Sequence, residues 1–390
     1  MVTRDATASV PSGDQPAAER RPRAFPLTGV RFVGRLVGLF SFDVGQEIDL
    51  DRARALLPEA ATDRAARRAA PIYAGHTTPP LRAALGDMTV RLADVDVPVT
   101  ARMVVHEVGA ITIALTAPLA ADVAELPALT SALTGTGPLE DVARTLVEEQ
   151  RIRLAAAVTK PATPDVVEDY YVLQADRLDP PMPMADFLQR ARAPLAAALR
   201  CEPEPLSPTE EEDTLRSKLS YYPDDLAVGE WNVMVLIDPE PWEAIDVVEN
   251  LNVQLLELRY FDALLERRLA DSYALTGAKA RRVPLLNAAL QRTIDDLATV
   301  RLDVESMVER VHNAFKVGGD IYLAKLHTRT SERLGLRAWE ESVQRKLDVL
   351  ELRYSLLIER VRTARSELLE ITIVLLIVLE IVLALFQSAH

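Results

Sequence analysis

Residues Leu368–Phe386 read LLEITIVLLIVLEIVLALF, and whether this stretch crosses a membrane or packs against protein decides how the rest of the chain is organised. From Ile371 to Phe386 it holds thirteen Ile, Leu, Val or Phe residues and one carboxylate, Glu380. At ~1.5 Å per residue these positions cover roughly 24 Å, and Leu368, Leu369 and Gln387 bring the helix close to a ~30 Å hydrocarbon core. Thirteen apolar side chains at roughly −0.4 kcal/mol each outweigh one mid-span acid at about +3 kcal/mol. The balance predicts a single C-terminal transmembrane helix over residues 368–387, followed by a short tail, 388–390. The competing reading is a helix buried in the core of an oligomer, because an apolar run under about 18 residues fits either.

Charge on either side sets the expected orientation. Arg345, Lys346, Arg353, Arg360, Arg362 and Arg365 precede the stretch, and no Lys or Arg follows it. Positive-inside bias then keeps residues 1–367 in the cytoplasm and makes the chain tail-anchored, with a bacterial inner membrane as the expected location. A heptad seam continued through Ile371, Leu375, Val378, Val382 and Leu385 leaves Glu380 on the opposite face. It either snorkels or hydrogen-bonds another protomer, and the second reading makes Glu380, with Glu370 directly before the run, a candidate oligomer contact.

The seam extends upstream. Val343, Leu347, Leu350, Tyr354, Leu357, Val361, Ala364 and Leu368 keep heptad spacing from about Trp339. Before it, Gly318-Gly319 and Gly335 bracket a short helix that Asp320 can cap, and Leu286 to Ala314 carries another periodic stripe. In a further helix Val248, Leu251, Leu255, Leu258, Leu265 and Leu269 recur at three- and four-residue spacings, with Asp262 as the one polar member. Asp262 needs a partner, and Arg259, Arg267 or Arg301 can supply one; a buried pair that fixes helix register is the expected role. Residues 239–367 therefore read as a long-helix bundle or coiled-coil stalk.

Residues 25–238 read differently. Short β-branched runs, VRFVGRLVGLFSFDV, MTVRLADVDVPVTARMVVHEV and AITIALTAPL, predict strands, and Leu139–Val158 and Met184–Arg200 predict helices. KLSYYPDDLAVGEWNVMVLID predicts two strands around a Pro-Asp-Asp turn. Residues 1–24 are polar, lack an apolar h-region and read as a disordered tail. The expected class is α+β: an N-terminal mixed sheet domain, a helical bundle and one C-terminal span.

Composition narrows function. The 390 residues carry a formal charge of −14, and the excess acid lies mainly before residue 239. General nucleic-acid binding, which needs clustered Lys and Arg, is not expected. Cys201 is the sole cysteine, so no intramolecular disulfide forms.

The glycine break, IYLAKLHTRTSERLGL, LDVLELRYSLLIERV and LLEITIVLLIVLEIVL, in that order over the last ninety or so residues, resemble the "required for meiotic nuclear division" family, whose shared region is a domain of unknown function. Leu369-Glu370 and Glu380 stand where that family has a Leu-Glu pair and a second Glu within an aliphatic span. MVVHEVGAITIAL matches its hydrophobic segment with a central glycine, here Gly109. Ile371 departs from the Trp common at that place. The resemblance brings no catalytic residues and implies, by analogy, a membrane-tethered organising role.

No phosphate loop, dinucleotide fingerprint, zinc-protease or nucleophile-elbow pattern occurs. His76, His106, His312, His327 and His390 lack ligand spacing, so no metal or cofactor is expected. Asp224-Asp225 reads as a turn and Asp295-Asp296 as a solvated helix face. The leading expectation is a non-enzymatic, homo-oligomeric membrane scaffold that presents an acidic head to a protein partner. The alternative is a membrane-bound enzyme or small-ligand sensor with its site in residues 25–238.

Overall fold

The computed structural model describes residues 25–57, 79–92, 95–135, 137–276, 301–302, 304 and 320–388. The expected N-terminal tail, most of the Leu286–Ala314 stripe, Asp295-Asp296, and His76, His312 and His390 lie outside these residues.

Long alternating segments build the sheet. Strand β1 (Arg31–Asp43) sends Phe32, Leu36, Phe40 and Phe42 to one face and Val37, Leu39 and Ser41 to the other. β2 (Gly45–Ile48) follows, then the short helix α1 (Leu50–Leu56), capped by Asp49. β3 (Leu81–Leu92), β4 (Val95–Val105) and β5 (Ala110–Asp122) form a meander. Gly109 makes its second turn at φ +92°, where an added Cβ would lie 1.8 Å from the Gly45 carbonyl oxygen, so only glycine fits. Helices α2 (Leu126–Leu133) and α3 (Pro138–Leu154) lead to β6 (Val158–Pro161), which pairs with β2 in a separate ribbon. β7 (Val167–Asp179), α4 (Met184–Leu199), α5 (Pro208–Thr214) and the strands β8 (Leu226–Gly229) and β9 (Val233–Ile237) complete the region.

The main sheet has seven strands in the order β3-β4-β5-β1-β7-β9-β8, antiparallel throughout except for the parallel pair β7–β9. The β8–β9 hairpin turns at Glu230–Asn232, downstream of the expected Pro-Asp-Asp turn. That earlier turn closes only an isolated bridge between Leu219 and Ala227: Pro223 has no N–H to extend a ladder, and the Asp225 carboxylate is taken up by the Tyr221 amide. The β4–β5 ladder stops at Thr100↔Thr116, while β4 continues against β3 and β5 against β1.

One face of the sheet packs against α1–α5. The other packs against α6 (Trp242–Thr276), on which α7 (Ile321–Arg333) and α8 (Leu336–Ser388) lie. Leu251, Leu255 and Leu258 are buried in this second core, each worth roughly 1.5–3 kcal/mol of transfer free energy. Among the described helices α6 lies between the sheet and the pair α7 and α8, and the Leu286–Ala314 part of the expected bundle falls outside the described residues. Asp320 caps α7 through the Tyr322 and Leu323 amides (2.8 and 3.0 Å), and Gly335, at φ +65°, separates α7 from α8.

α8 corrects the central expectation. Val343, Leu347, Leu350 and Tyr354 bury the predicted seam against the body. Beyond Tyr354 every described side chain is exposed, and the helix projects for another 34 residues, about 50 Å. Among the described residues no helix is long and apolar enough to cross a membrane. The physical obstacle is the pair of carboxylates: between Glu370 and Glu380 only nine apolar or hydroxyl-bearing residues run uninterrupted, about 13 Å against a ~30 Å core. The expected transmembrane helix at 368–387, the tail anchor, the inner-membrane location and the orientation argued from Arg360, Arg362 and Arg365 fall together. Those arginines lie within α8, and their side chains are outside the described set.

Candidate functional site: a polar belt beneath the central helix

Strand alternation places Arg82, Arg102, His106, Thr112, Ser41 and Glu168 on the sheet face that α6 covers. A helix that buried only leucine there would leave these groups unpaired. Instead α6 supplies Asp246, Glu249 and Asn252 at three-residue steps, then Arg259 two turns later, on one face.

The result is a continuous belt across five strands. Arg259 Nη1 donates to Glu168 Oε1 at 2.5 Å, and the Asn252 amide donates to the Glu168 carbonyl (2.8 Å) and Ser41 Oγ (3.1 Å). Ser41 Oγ meets Thr112 Oγ1 at 2.9 Å, which lies 3.2 Å from His106 Nε2. At the far end Arg82 pairs with Asp246 at 2.8 Å. Glu249 sits between these two ends, fully buried, with Arg82, Arg102 and His106 at 3.8–3.9 Å. Neither of its oxygens accepts a hydrogen bond among the described residues. Trp242 closes this end, its ring 5.1 Å from the Arg35 guanidinium and 5.9 Å from that of Arg102.

Burial dominates the electrostatics. It pushes the Glu168 carboxyl up to about 7 although Arg259 lies against it, and Asp43, at the end of β1, up to about 6 against the pull of the Gly45 amide. The belt holds three arginines against Asp246, Glu249 and Glu168, so formal charge balances beneath the helix. A charge-balanced network of this kind ties α6 to one docking register on the sheet. Among the described residues no group of three or more His, Cys, Asp or Glu is placed to hold a metal ion.

A second junction fastens the opposite edge. The β8–β9 turn presents buried Glu230 to Arg200 (3.2 Å) and to Arg333 of α7 (3.1 Å), while the Tyr170 hydroxyl donates to the Glu230 carbonyl at 2.8 Å. Trp231 of the same turn and Trp339 of α8 each lie 5.4 Å from the Arg259 guanidinium.

The residues expected to matter are spread apart. Asp262 is half-buried and accepts from Ser342 Oγ and Lys346 Nζ of α8, both at 2.9 Å. Its partner is therefore Lys346; Arg259 and Arg301 serve Glu168 and Glu351, and Arg267 donates to the Ala263 carbonyl. Glu370 and Glu380 are exposed on the projecting part of α8. Asp225 accepts from the Tyr221 amide at 2.7 Å. None of the belt residues was singled out from the sequence as part of a site. The usable signal was the run of polar residues Asp246, Glu249, Asn250, Asn252 and Gln254 inside a helix otherwise rich in Val and Leu, all of them buried.

Comparison with known proteins moves the resemblance from the C-terminus to the sheet domain. A protein of Methanocaldococcus jannaschii named "Uncharacterized protein MJ0711" is 28% identical over 201 residues, which are 51% of this chain and 61% of the relative, so the chain spans less than two thirds of that protein's length. No solved structure matches. The resemblance to the meiotic-nuclear-division family is not supported: it rested on Leu-, Ile- and Val-rich helical segments, a composition that heptad packing imposes on many unrelated chains. The chain belongs to the family described as "Uncharacterized protein MJ0711, N-terminal domain", which it matches over residues 33–243, more than half its length.

Proposed function

We propose that this protein is a non-enzymatic, homo-oligomeric scaffold in which α8 joins copies and the sheet domain is displayed to a protein partner. One observation carries the reading. From Leu369 to Ile381 the helix is apolar on all sides, and ten large side chains there are 50–64% exposed. A helix apolar all round is stable only when surrounded, and a patch of this extent marks an association surface. A groove on another protein covers one face of a single helix; a bundle of identical helices buries the seam Ile371, Leu375 and Val378 of every copy at once. Glu370 and Glu380 interrupt the apolar surface, and a bundle built on this seam leaves Glu380 on its outer face, where its carboxyl stays in water. The body below, held rigid by the belt and the Glu230 junction, positions the displayed domain.

Sedimentation of the full chain tests this. The wild type is expected to run at a discrete multiple of 43.0 kDa, and Leu375→Glu with Val378→Glu at the monomer mass with unchanged circular dichroism. A wild type that stays monomeric across the concentration range refutes the reading.

A further inference from the structure

The sheet is split where β4 and β5 part. Their ladder ends at Thr100↔Thr116, and two more steps of the same register set Pro98 opposite Pro118. Neither proline has an N–H, so the ladder loses two donors at one rung and cannot close. β4 then follows β3 (Thr89↔Pro98) and β5 follows β1 (Arg35↔Pro118), and among the described residues no other strand pairs with either inner edge. The fork holds an open cleft of ≈ 490 Å³ lined by Arg35, Asp87, Pro98, Thr100, Thr116 and Pro118.

The chemistry of the walls is one-sided. Arg35, the cation of the cleft, is engaged: its Nη2 donates to both oxygens of Asp176 at 2.9 and 3.1 Å, and its guanidinium stacks on Trp242. Asp87 is the sole acid in the lining, is exposed, and accepts one neutral hydrogen bond, from Thr100 Oγ1 at 2.7 Å. Two prolines leave carbonyls without neighbouring amides. The cleft therefore offers acceptors and negative charge, and its complement is an extended backbone that brings N–H groups together with a cationic side chain.

We propose that the β4–β5 fork receives an extended peptide segment of a protein partner, adding it as a strand between the parted edges with a lysine or arginine on Asp87. The inference deepens the scaffold reading by naming the partner's chemistry, and rests on that reading for its role; binding itself requires no oligomer.

The test uses the full chain and a fluorescein-labelled octapeptide of alternating valine and lysine, with a valine–glutamate twin, followed by fluorescence anisotropy. Saturable binding of the lysine peptide alone is expected. Asp87→Asn should weaken it about tenfold, as loss of a charge-assisted hydrogen bond does. Pro98→Val combined with Pro118→Val restores both donors, lets the fork zip, and should abolish binding. Because Asp87 is exposed, Asp87→Asn leaves the fold intact and decides the matter even if the proline pair disturbs folding. No binding by the wild type, equal binding of the glutamate peptide, or Asp87→Asn binding like the wild type overturns the proposal. Loss of peptide binding in an intact oligomer refutes the fork alone, and binding by a monomer refutes the assembly alone.

Discussion

Glu249→Gln should destabilise the fold by about 3 kcal/mol. Glu249 is fully buried, and its carboxylate faces Arg82, Arg102 and His106 at 3.8–3.9 Å. Removing one partner of a buried ion pair typically costs 3–5 kcal/mol, because the remaining charge stays buried without compensation. Two facts select the lower end. The separations exceed hydrogen-bond length, and the side chains of Arg82 and Arg102 retain 14% and 17% of their exposure, so water screens part of the field. Arg82 also keeps Asp246 at 2.8 Å. Urea unfolding at pH 7, followed by tryptophan fluorescence, gives the value, with Trp242 beside the network as reporter. A cycle of Glu249→Leu with Arg102→Met separates mechanism from volume: the Glu249→Leu/Arg102→Met double variant should lose much less than Glu249→Leu and Arg102→Met sum to, since apolar replacement of both partners is often close to neutral. If Glu249→Gln changes stability by less than about 0.5 kcal/mol, or the double variant loses the sum of the single losses, the belt does not hold α6 electrostatically.

Two further outcomes follow from the same interface. Asp262→Leu should cost about 1 kcal/mol, a surface-discounted figure because Lys346 is 24% exposed, and Lys346→Met in the same background should add little; thermal melts of the four variants measure the coupling. Burial holds the Glu168 carboxyl proton up to about 7 in the folded state, so between the ordinary glutamate value and about 7 the folded chain binds more protons than the unfolded one. Stability should therefore fall as pH rises through that window and level off above it, and Glu168→Gln should flatten this part of the curve; an unchanged slope would remove Glu168 from the account.

Much of the sheet domain was legible because its strands alternate. The β1, β4 and β5 segments announce themselves as short apolar runs with alternation and β-branched residues, and the Val343–Tyr354 seam of α8 through its heptads. β7 went unmarked, since a central strand buried on both faces loses the period that distinguishes it: Tyr170, Val172 and Gln174 face α6 while Tyr171, Leu173 and Ala175 face the other core. The belt was illegible for another reason. Its members stand between positions 41 and 259 and become one network only once strand order sets β3, β4, β5, β1 and β7 side by side. The aliphatic end of α8 was read as a span because hydropathy sums over a window, whereas the two carboxylates divide that window into shorter lengths. The Pro98–Pro118 opposition needed the ladder register, which no single-chain pattern supplies.

The family match ends at residue 243, one residue into the first turn of α6. A fragment cut at that boundary would keep all nine described strands yet lose Asp246, Glu249, Asn252 and Arg259, leaving Arg82, Arg102 and Glu168 on a bared sheet face with the apolar surface of Val37, Leu39 and Val172 around them. Such a fragment should aggregate, while one extended to Thr276 keeps the belt whole. For this chain the smallest folding unit is longer than the region matched by the family, and the difference is one helix that buries carboxylates and amides alongside its leucines and valines.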